Sequence, residues 1–403
     1  MTDTGGEAQL LEGLRVLDCA SYLAAPCAAA VLGDFGADVI KIEPPRGDPV
    51  RGLHGTAGLP ESEVHYAWLL LSRNKRSLML DLNDPKDHET LCALVETADV
   101  FITNYPPRVV EKLRLAYEDL SRLNDRLIYA WLTGYGETGP ECGKPGFDGQ
   151  AYWARSGLMD LIRETGSAPM GAVPGFGDQP TGIALTAAIL MALYRRERTG
   201  KGGRVGASLH ACGLWANAFL AQAALAGAEI PKRPRREDRG SALAGLYKAR
   251  CGRWFSVTML HEEDEWPRFV RLIERPELER DPRFADKPSR RTNARELIAI
   301  LDDIFATRDW AEWSLRFREA RIPHGAVERL PDLLGDEQAK ANEVLWPIDP
   351  DLGAPYTINS PFWVHGARKA FRLPPPQVGE HSAEIRAEIS ARRRAKAEAA
   401  KPR

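Results

Sequence analysis

Between residues 14 and 136 the chain alternates short apolar runs with longer helical ones, and this alternation limits the possible folds more than any other feature. "LRVLDCA" has the length and apolarity of a buried strand. "APCAAAVLGDFGA" follows as an alanine-rich helix, with Pro26 where a first helical turn tolerates proline and Gly36 where a helix can end. "DVIKIEPP" is a second strand, stopped by Pro44 and Pro45. The pattern continues through "RSLMLDL", the helical "PKDHETLCALVETA", "DVFITNY" and "RLIYAWLTGYG". Parallel strands need long crossovers, and helices supply them, so the expected architecture is doubly wound α/β with a parallel sheet.

The first strand-to-helix turn reads "CASYLAAPC" and contains no G-x-G-x-x-G, and the chain has no G-x-x-x-x-G-K-[ST]. Both standard phosphate cradles are therefore missing, which argues against a nicotinamide enzyme of the usual kind and against a P-loop NTPase. A phosphorylated ligand would have to rely on scattered cationic side chains and helix N-termini.

Beyond residue 178 comes a long apolar pattern, "IALTAAILMALYRRERTGKG", with Arg195, Arg196 and Arg198 crowding the end where cations suit the helix dipole. "GRVGASL" reads as a strand and "HACGLWANAFLAQAALAGAEI" as one helical stretch. The basic, glycine-containing "PKRPRREDRGSALAG" marks a domain break. "GLYKARCGRWFSVTML" reads as a hairpin turning at Cys251 and Gly252, and three helical patterns follow it. The expected domains are 1–225 (with a linker helix from about 209), a small α+β domain over 226–325, and a return segment over 326–403. The tail "EIRAEISARRRAKAEAAKPR" reads as a charged, solvated helix.

With 403 residues, 44% of them hydrophobic, the chain can bury a substantial core. A formal net charge of -2 gives no electrostatic reason to expect nucleic acid or an anionic membrane as partner. "MTDTGGEAQLLEGL" lacks a basic segment followed by an apolar core, and no stretch approaches the roughly 20 apolar residues of a membrane span, so a cytoplasmic location is expected. The six cysteines form no CxxC and no metal-type pairing with histidines; they read as reduced thiols, with no metal site expected.

One carboxylate stands out. Asp148, in "KPGFDGQAYWARSGLM", sits between glycines before a run with an amphipathic look. An aspartate there also suits a helix N-cap, and the residues alone leave both readings open. Asp178, in "GFGDQPTG", likewise fits an N-cap, and its role is open.

Eight stretches, in order, resemble blocks of one family: "GLRVLDCASYLAAPCAAAVLGDFGADVIKIEPPRGDPVR", "NKRSLMLDL", "DVFITNYPP", "GYGETGP", "GFDGQAYWARSGLM", "GFGDQPTG", "RTGKGGRVGASL" and "IPHGAVERLPDLLGDEQ". They resemble the family III CoA-transferases, the group of formyl-CoA transferase, carnitine CoA-transferase and their racemase relatives. The resemblance implies a Rossmann-like large domain built from both chain ends, a small α+β domain, and an interlocked ring-like homodimer. It implies no permanently bound cofactor, coenzyme A thioester as substrate, an acyl-CoA donor and a carboxylic acid acceptor as partners, and Asp148 as nucleophile. It points to Tyr22, Leu23, Ala24, Asn74, Lys75, Arg76, Asn104 and Tyr105 for CoA, with Lys75 and Arg76 as phosphate partners by charge. Tyr152 and Trp153 would wall the pocket, and backbone N–H groups near Gly146 and Gly149 would support an oxyanion.

Pro106 stands where many members carry an arginine, with Arg108 nearby as a substitute. Leu23 replaces a glutamine of formyl-CoA transferase, and "RGSALAGLY" does not match that enzyme's glycine-rich loop, so formyl and oxalate specificity is not implied. Two other readings stay open. An acyl-CoA racemase exchanges a proton beside the thioester, and the family's racemases carry a histidine directly before the matching aspartate, where this chain has Phe147, which cannot move a proton. A non-catalytic CoA-binding subunit would keep the fold without the aspartate.

Overall fold

The computed structural model of the protein describes residues 9–56 and 58–399. Six strands form one sheet: β1 (Arg15–Asp18), β2 (Asp38–Glu43), β3 (Lys75–Met79), β4 (Val100–Thr103), β5 (Ile128–Thr133) and β6 (Gly203–Ser208). Every pairing is parallel, in the order β3-β2-β1-β4-β5-β6, so β1 lies between β2 and β4 with Val16 opposite both Val39 and Val100. The strand order reverses between β1 and β4, all strands staying parallel, and at such a point doubly wound sheets open a crevice at the carboxyl ends of the strands.

Alternate strand residues divide between the faces, as the pleat requires. Leu17, Ile40, Leu78, Phe101 and Tyr129 join Leu91, Leu94 and Ile385 in one core cluster. Leu91 and Leu94 come from the helix Pro85–Val95 and Ile385 from the helix Ser382–Ala399, so the chain's return segment closes this core. Val39, from the alternate set, meets Gly33 of α1 (Ala24–Asp34). All residues of α1 are buried, because it packs along the 22-residue helix Asp178–Thr199. Gly182 sets that approach: a Cβ there would lie 2.6 Å from the Ala24 carbonyl oxygen. The small side chains of α1 thus serve packing, and they bring the N-termini of two helices into one region.

The long helix ends just past the arginines that mark its end in sequence, with Gly200 in the left-handed conformation (φ 73°) as its cap, and buried Arg196 pairs with Asp99 at 2.8 Å. The expected single helix after β6 is two, Leu209–Ala216 and Ala218–Leu225. They break at Asn217, whose side chain turns aside to donate to the Ser156 carbonyl at 3.0 Å. No helix among the described residues is long and apolar enough to cross a membrane.

A second compact unit comprises Leu161–Pro169 and Pro231–Glu337, the first unit resuming at Met170 and again at Gln338. The expected hairpin is present as β7 (Ala244–Lys248) and β8 (Trp254–Thr258), with Gly252 at φ 83° in its turn. β9 (His324–Ala326) adds antiparallel to β8, which keeps the chain in this unit past the expected boundary near 325. Residues 161–169 also belong here, since Thr165 N–H donates to the Arg233 carbonyl at 2.8 Å. Tyr247, Phe255, Phe269, Phe305, Trp313 and Phe317 fill its core, each such ring contributing about 1.5–3 kcal/mol through burial.

Candidate active site

Asp148 does not cap the turn that follows it. Its own backbone is already helical (φ -56°, ψ -41°), whereas a capping residue is extended, and its side chain makes no cap hydrogen bond. Residues Gly149–Ala154 form a wide i→i+5 turn, an arrangement found often at functional sites. The Asp148 carboxylate instead reaches 29 residues along the chain, where Oδ2 accepts the Gly177 N–H at 3.3 Å. Gly177 is the residue before the long helix, so the carboxylate lies at a positive helix end. Only glycine fits at 177: a Cβ would lie 2.4 Å from Cγ of Tyr152, whose ring covers that position. Asp148 is 9% exposed, and Tyr152 and Trp153 on the wide turn are buried beside it in sequence, with Trp153 packed on Phe176 at 5.1 Å.

Asp178 is not an N-cap either; it is the first residue of the long helix and its side chain makes no cap hydrogen bond. Burial first, and then the negative charge of Asp148, push its pKa up to about 7. Among the described residues no cation lies within ion-pair distance of Asp148 or Asp178. Two carboxyls close enough to feel each other avoid double ionisation by leaving one of them protonated.

A cleft of about 300 Å³ opens next to this corner, with Tyr22, Asn104, Tyr105, Lys144 and Phe147 in its wall. The structure thus brings together three of the expected CoA contacts. Leu23 precedes α1 and Ala24 begins it; the helix has no side-chain cap, so the N–H groups of its first turn have no side-chain acceptor. Asn104 clamps the neighbouring loop twice: its Oδ1 accepts the Ser21 N–H at 2.9 Å and its Nδ2 donates to the Ser21 carbonyl at 2.7 Å.

The remaining three expected contacts are placed differently. Lys75 is fully buried, donating to Asp18 at 2.7 Å and to the Pro26 carbonyl at 3.0 Å. Asn74 is buried at φ 60°, bonded to Asp34 and to the backbone of Ala370, Arg372 and Leu373. Arg76 binds Asp38, Glu384 and Glu388, fastening β3 to the C-terminal helix. Lys75 and Arg76, expected from the resemblance as phosphate partners, thus both have carboxylate partners within the chain. Arg108 makes no hydrogen bond or ion pair among the described residues and is exposed just past Pro106 and Pro107 of the cleft wall. Lys144, half-exposed, pairs with Glu141 at 2.9 Å and lies 5.0 Å from the Tyr135 ring centre.

Sequence reasoning missed Gly177, Lys144 and a buried pair, Lys41 and Asp48, at 2.7 Å. Lys41 did carry a signal, as the one cation within the apolar strand "DVIKIE". No group of three or more metal-ligating side chains occurs among the described residues, and all six cysteines are free.

The chain and its fold have counterparts in known proteins. Residues 11–382 match the profile of CoA-transferase family III, and the chain belongs to that family; it is an enzyme of the CoA-transferase class. It is 35% identical over 378 residues, 93% of this chain and 94% of the relative, to (R)-2-hydroxy-4-methylpentanoate CoA-transferase of Clostridioides difficile. It is 32% identical over 386 residues, 94% of this chain and 93% of the relative, to cinnamoyl-CoA:phenyllactate CoA-transferase of Clostridium sporogenes. The crystal structure of a CAIB/BAIF family protein from Brucella suis matches with a TM-score of 0.85 at 30% identity, covering 95% of this chain and all of that one.

Proposed function

We propose that the protein moves CoA from an acyl-CoA donor to a free carboxylic acid through covalent intermediates on Asp148. One Asp148 oxygen attacks the thioester carbonyl carbon, the C–S bond breaks, and an acyl-aspartyl anhydride forms with CoA thiolate as leaving group. The thiolate attacks the aspartyl carbonyl and the donor acid leaves as a carboxylate, giving an aspartyl-CoA thioester. The acceptor carboxylate attacks that thioester and expels the thiolate again, forming a second anhydride. Attack of the thiolate on the acceptor's acyl carbon regenerates Asp148 and yields the new acyl-CoA, with no net proton consumed.

The observation that carries this reading is the environment of Asp148. Buried, held by one N–H at a helix end and unpaired with any cation among the described residues, the carboxylate keeps an unneutralised nucleophilic charge. Asp178, its pKa pushed up to about 7, is mostly protonated below that pH and adds little negative charge beside the forming electron-rich thiolate. The uncapped N-terminus of α1 suits that thiolate, with Leu23, Ala24, Asn104 and Tyr105 around the CoA arm and Arg108 and Lys144 toward its phosphates. Tyr152 and Trp153 keep water from the anhydrides.

The substrate acids are branched or aryl 2-hydroxy acids and related acids, as the names of the two relatives suggest. The protein works as an interlocked homodimer in the cytoplasm; Met191, Tyr194, Trp215, Phe219 and Leu225 expose 66–87% of their surface on the long helix and the two helices after β6, as apolar faces awaiting a second copy do.

The test is intact mass after mixing the protein with a panel of acyl-CoAs and then hydroxylamine, with the modified peptide mapped. Hydroxamate at Asp148 supports the anhydride route and reveals the donor. No adduct, together with deuterium uptake beside the thioester in heavy water, gives the site to racemase chemistry.

A further inference from the structure

Tyr22 holds a conformation that bulky residues avoid. Its φ is 63°, in the left-handed region, where glycine would sit without strain. Such strain persists only where the surroundings impose it, and here they do so from three sides. The Tyr22 N–H donates to Asp48 Oδ1 at 3.2 Å. The other Asp48 oxygen pairs with the fully buried Lys41 Nζ at 2.7 Å, and the same ammonium donates to the Ala20 carbonyl. Asn104 grips Ser21 through both its N–H and its carbonyl. The loop from Ala20 to Tyr22 is therefore fixed residue by residue.

What the strained backbone delivers is the ring. Tyr22 meets Phe147 edge-on, with centroids 5.7 Å apart and planes at 88°. Phe147 is otherwise 61% exposed, and its carbonyl accepts the Gln150 and Ala151 N–H groups at 3.1 and 2.8 Å, beginning the wide turn that carries Asp148. The tyrosine hydroxyl makes no hydrogen bond among the described residues, and the contact with Phe147 is made by the ring.

We propose that Tyr22 is a positioning residue for the nucleophile, acting through Phe147: the clamp of Lys41, Asp48 and Asn104 presses its ring against Phe147 and so fixes the peptide that aims the Asp148 carboxylate. The proposal rests on Asp148 being the nucleophile, and its failure is distinguishable from that of the anhydride route. Misaiming a nucleophile lowers the rate of the covalent step with little effect on ligand affinity.

The experiment compares Tyr22→Gly, Tyr22→Asn and Tyr22→Phe with the wild type for kcat, KM, CoA dissociation constant, thermal midpoint and rate of hydroxamate formation at Asp148. Tyr22→Gly is expected to unfold at the same or a higher temperature while kcat and trapping rate fall about 10- to 100-fold, KM and CoA affinity staying within about twofold. Tyr22→Asn, which tolerates the left-handed backbone but has no ring, shows the same loss should the glycine variant fold poorly. Tyr22→Phe restores the rate. In a Phe147→Ala background, Tyr22→Gly adds little further loss, because the two residues act in series. The proposal is overturned by unchanged kcat in both ringless variants, by a loss carried in KM and CoA affinity, or by additive effects in the double variant. Absence of any wild-type hydroxamate overturns the anhydride route itself, and with it the proposal.

Discussion

Asp18 and Asp48 face Lys75 and Lys41 inside the large unit, whereas Asp178 is buried beside the like charge of Asp148. In the first cluster all four side chains are buried, at ion-pair distances of 2.7 Å for Lys75–Asp18 and Lys41–Asp48. Burial drives the Asp18 carboxyl up, but Lys41 and Lys75 outweigh it and hold it below its ordinary range. In the second cluster no cation intervenes among the described residues, and burial with like charge drives Asp178 up to about 7. The difference teaches how one residue type serves two ends. A neutralised aspartate fixes backbone, as Asp48 fixes Tyr22; an aspartate held only by an N–H and a helix end keeps a charge that can react.

The comparison breaks most sharply at Asp148. Asp148→Asn is expected to retain the fold, since an amide oxygen still accepts the Gly177 N–H, and to lose at least about 10³-fold in kcat, because an amide forms no anhydride. Steady-state kinetics beside circular dichroism checks this, and a variant within tenfold of the wild type would falsify the nucleophile assignment.

Lys75→Met reads the opposite cluster. It strands Asp18 beside a single lysine at 3.7 Å, and urea unfolding is expected to show a loss of about 3–5 kcal/mol. A stable variant with weakened CoA binding would instead return Lys75 to the phosphate role expected from sequence.

Asp178 gives a pH signature of defined sign. Its native pKa of about 7 exceeds its ordinary value of 3.8, so between these limits the folded chain keeps a proton that the unfolded chain has released. Its contribution to stability is therefore fully present below about pH 4, declines as pH rises toward 7 and levels off above. Asp178→Asn removes that decline, and the stability gap between variant and wild type widens from pH 4 to 7 in parallel urea titrations. A gap independent of pH would show that burial and the Asp148 charge do not raise the Asp178 pKa as described.

The smallest effect belongs to Arg76. Its partners are part-exposed, so Arg76→Met is expected to cost about 1 kcal/mol or less, with KM for acyl-CoA unchanged. A tenfold rise in KM would show that Arg76 serves a phosphate after all.

The order of strands and helices was legible because apolar runs of strand length, punctuated by Pro44, Pro45 and Gly36, report local periodicity and backbone preference, which neighbours along the chain decide. The break at Asn217 was not, because it answers to Ser156, 61 residues away. At the site, Asp148 was legible as a residue but not as an environment: its position between glycines before a run of amphipathic look suited an N-cap, and only the fold shows its carboxylate turned toward Gly177.

By itself, then, the sequence determined the α/β alternation, the aspartate between glycines and the family blocks around it, all of which are properties of contiguous residues. The tertiary structure decided which charges are neutralised and which are left to act. Lys75 and Arg76 look alike on paper as phosphate partners, and Asp148 and Asp178 both suit caps by their residues alone. Burial and the choice of partner depend on which distant segments are brought within a few ångströms, and over such distances a low-dielectric interior turns the same side chain from a structural pin into a reactive group.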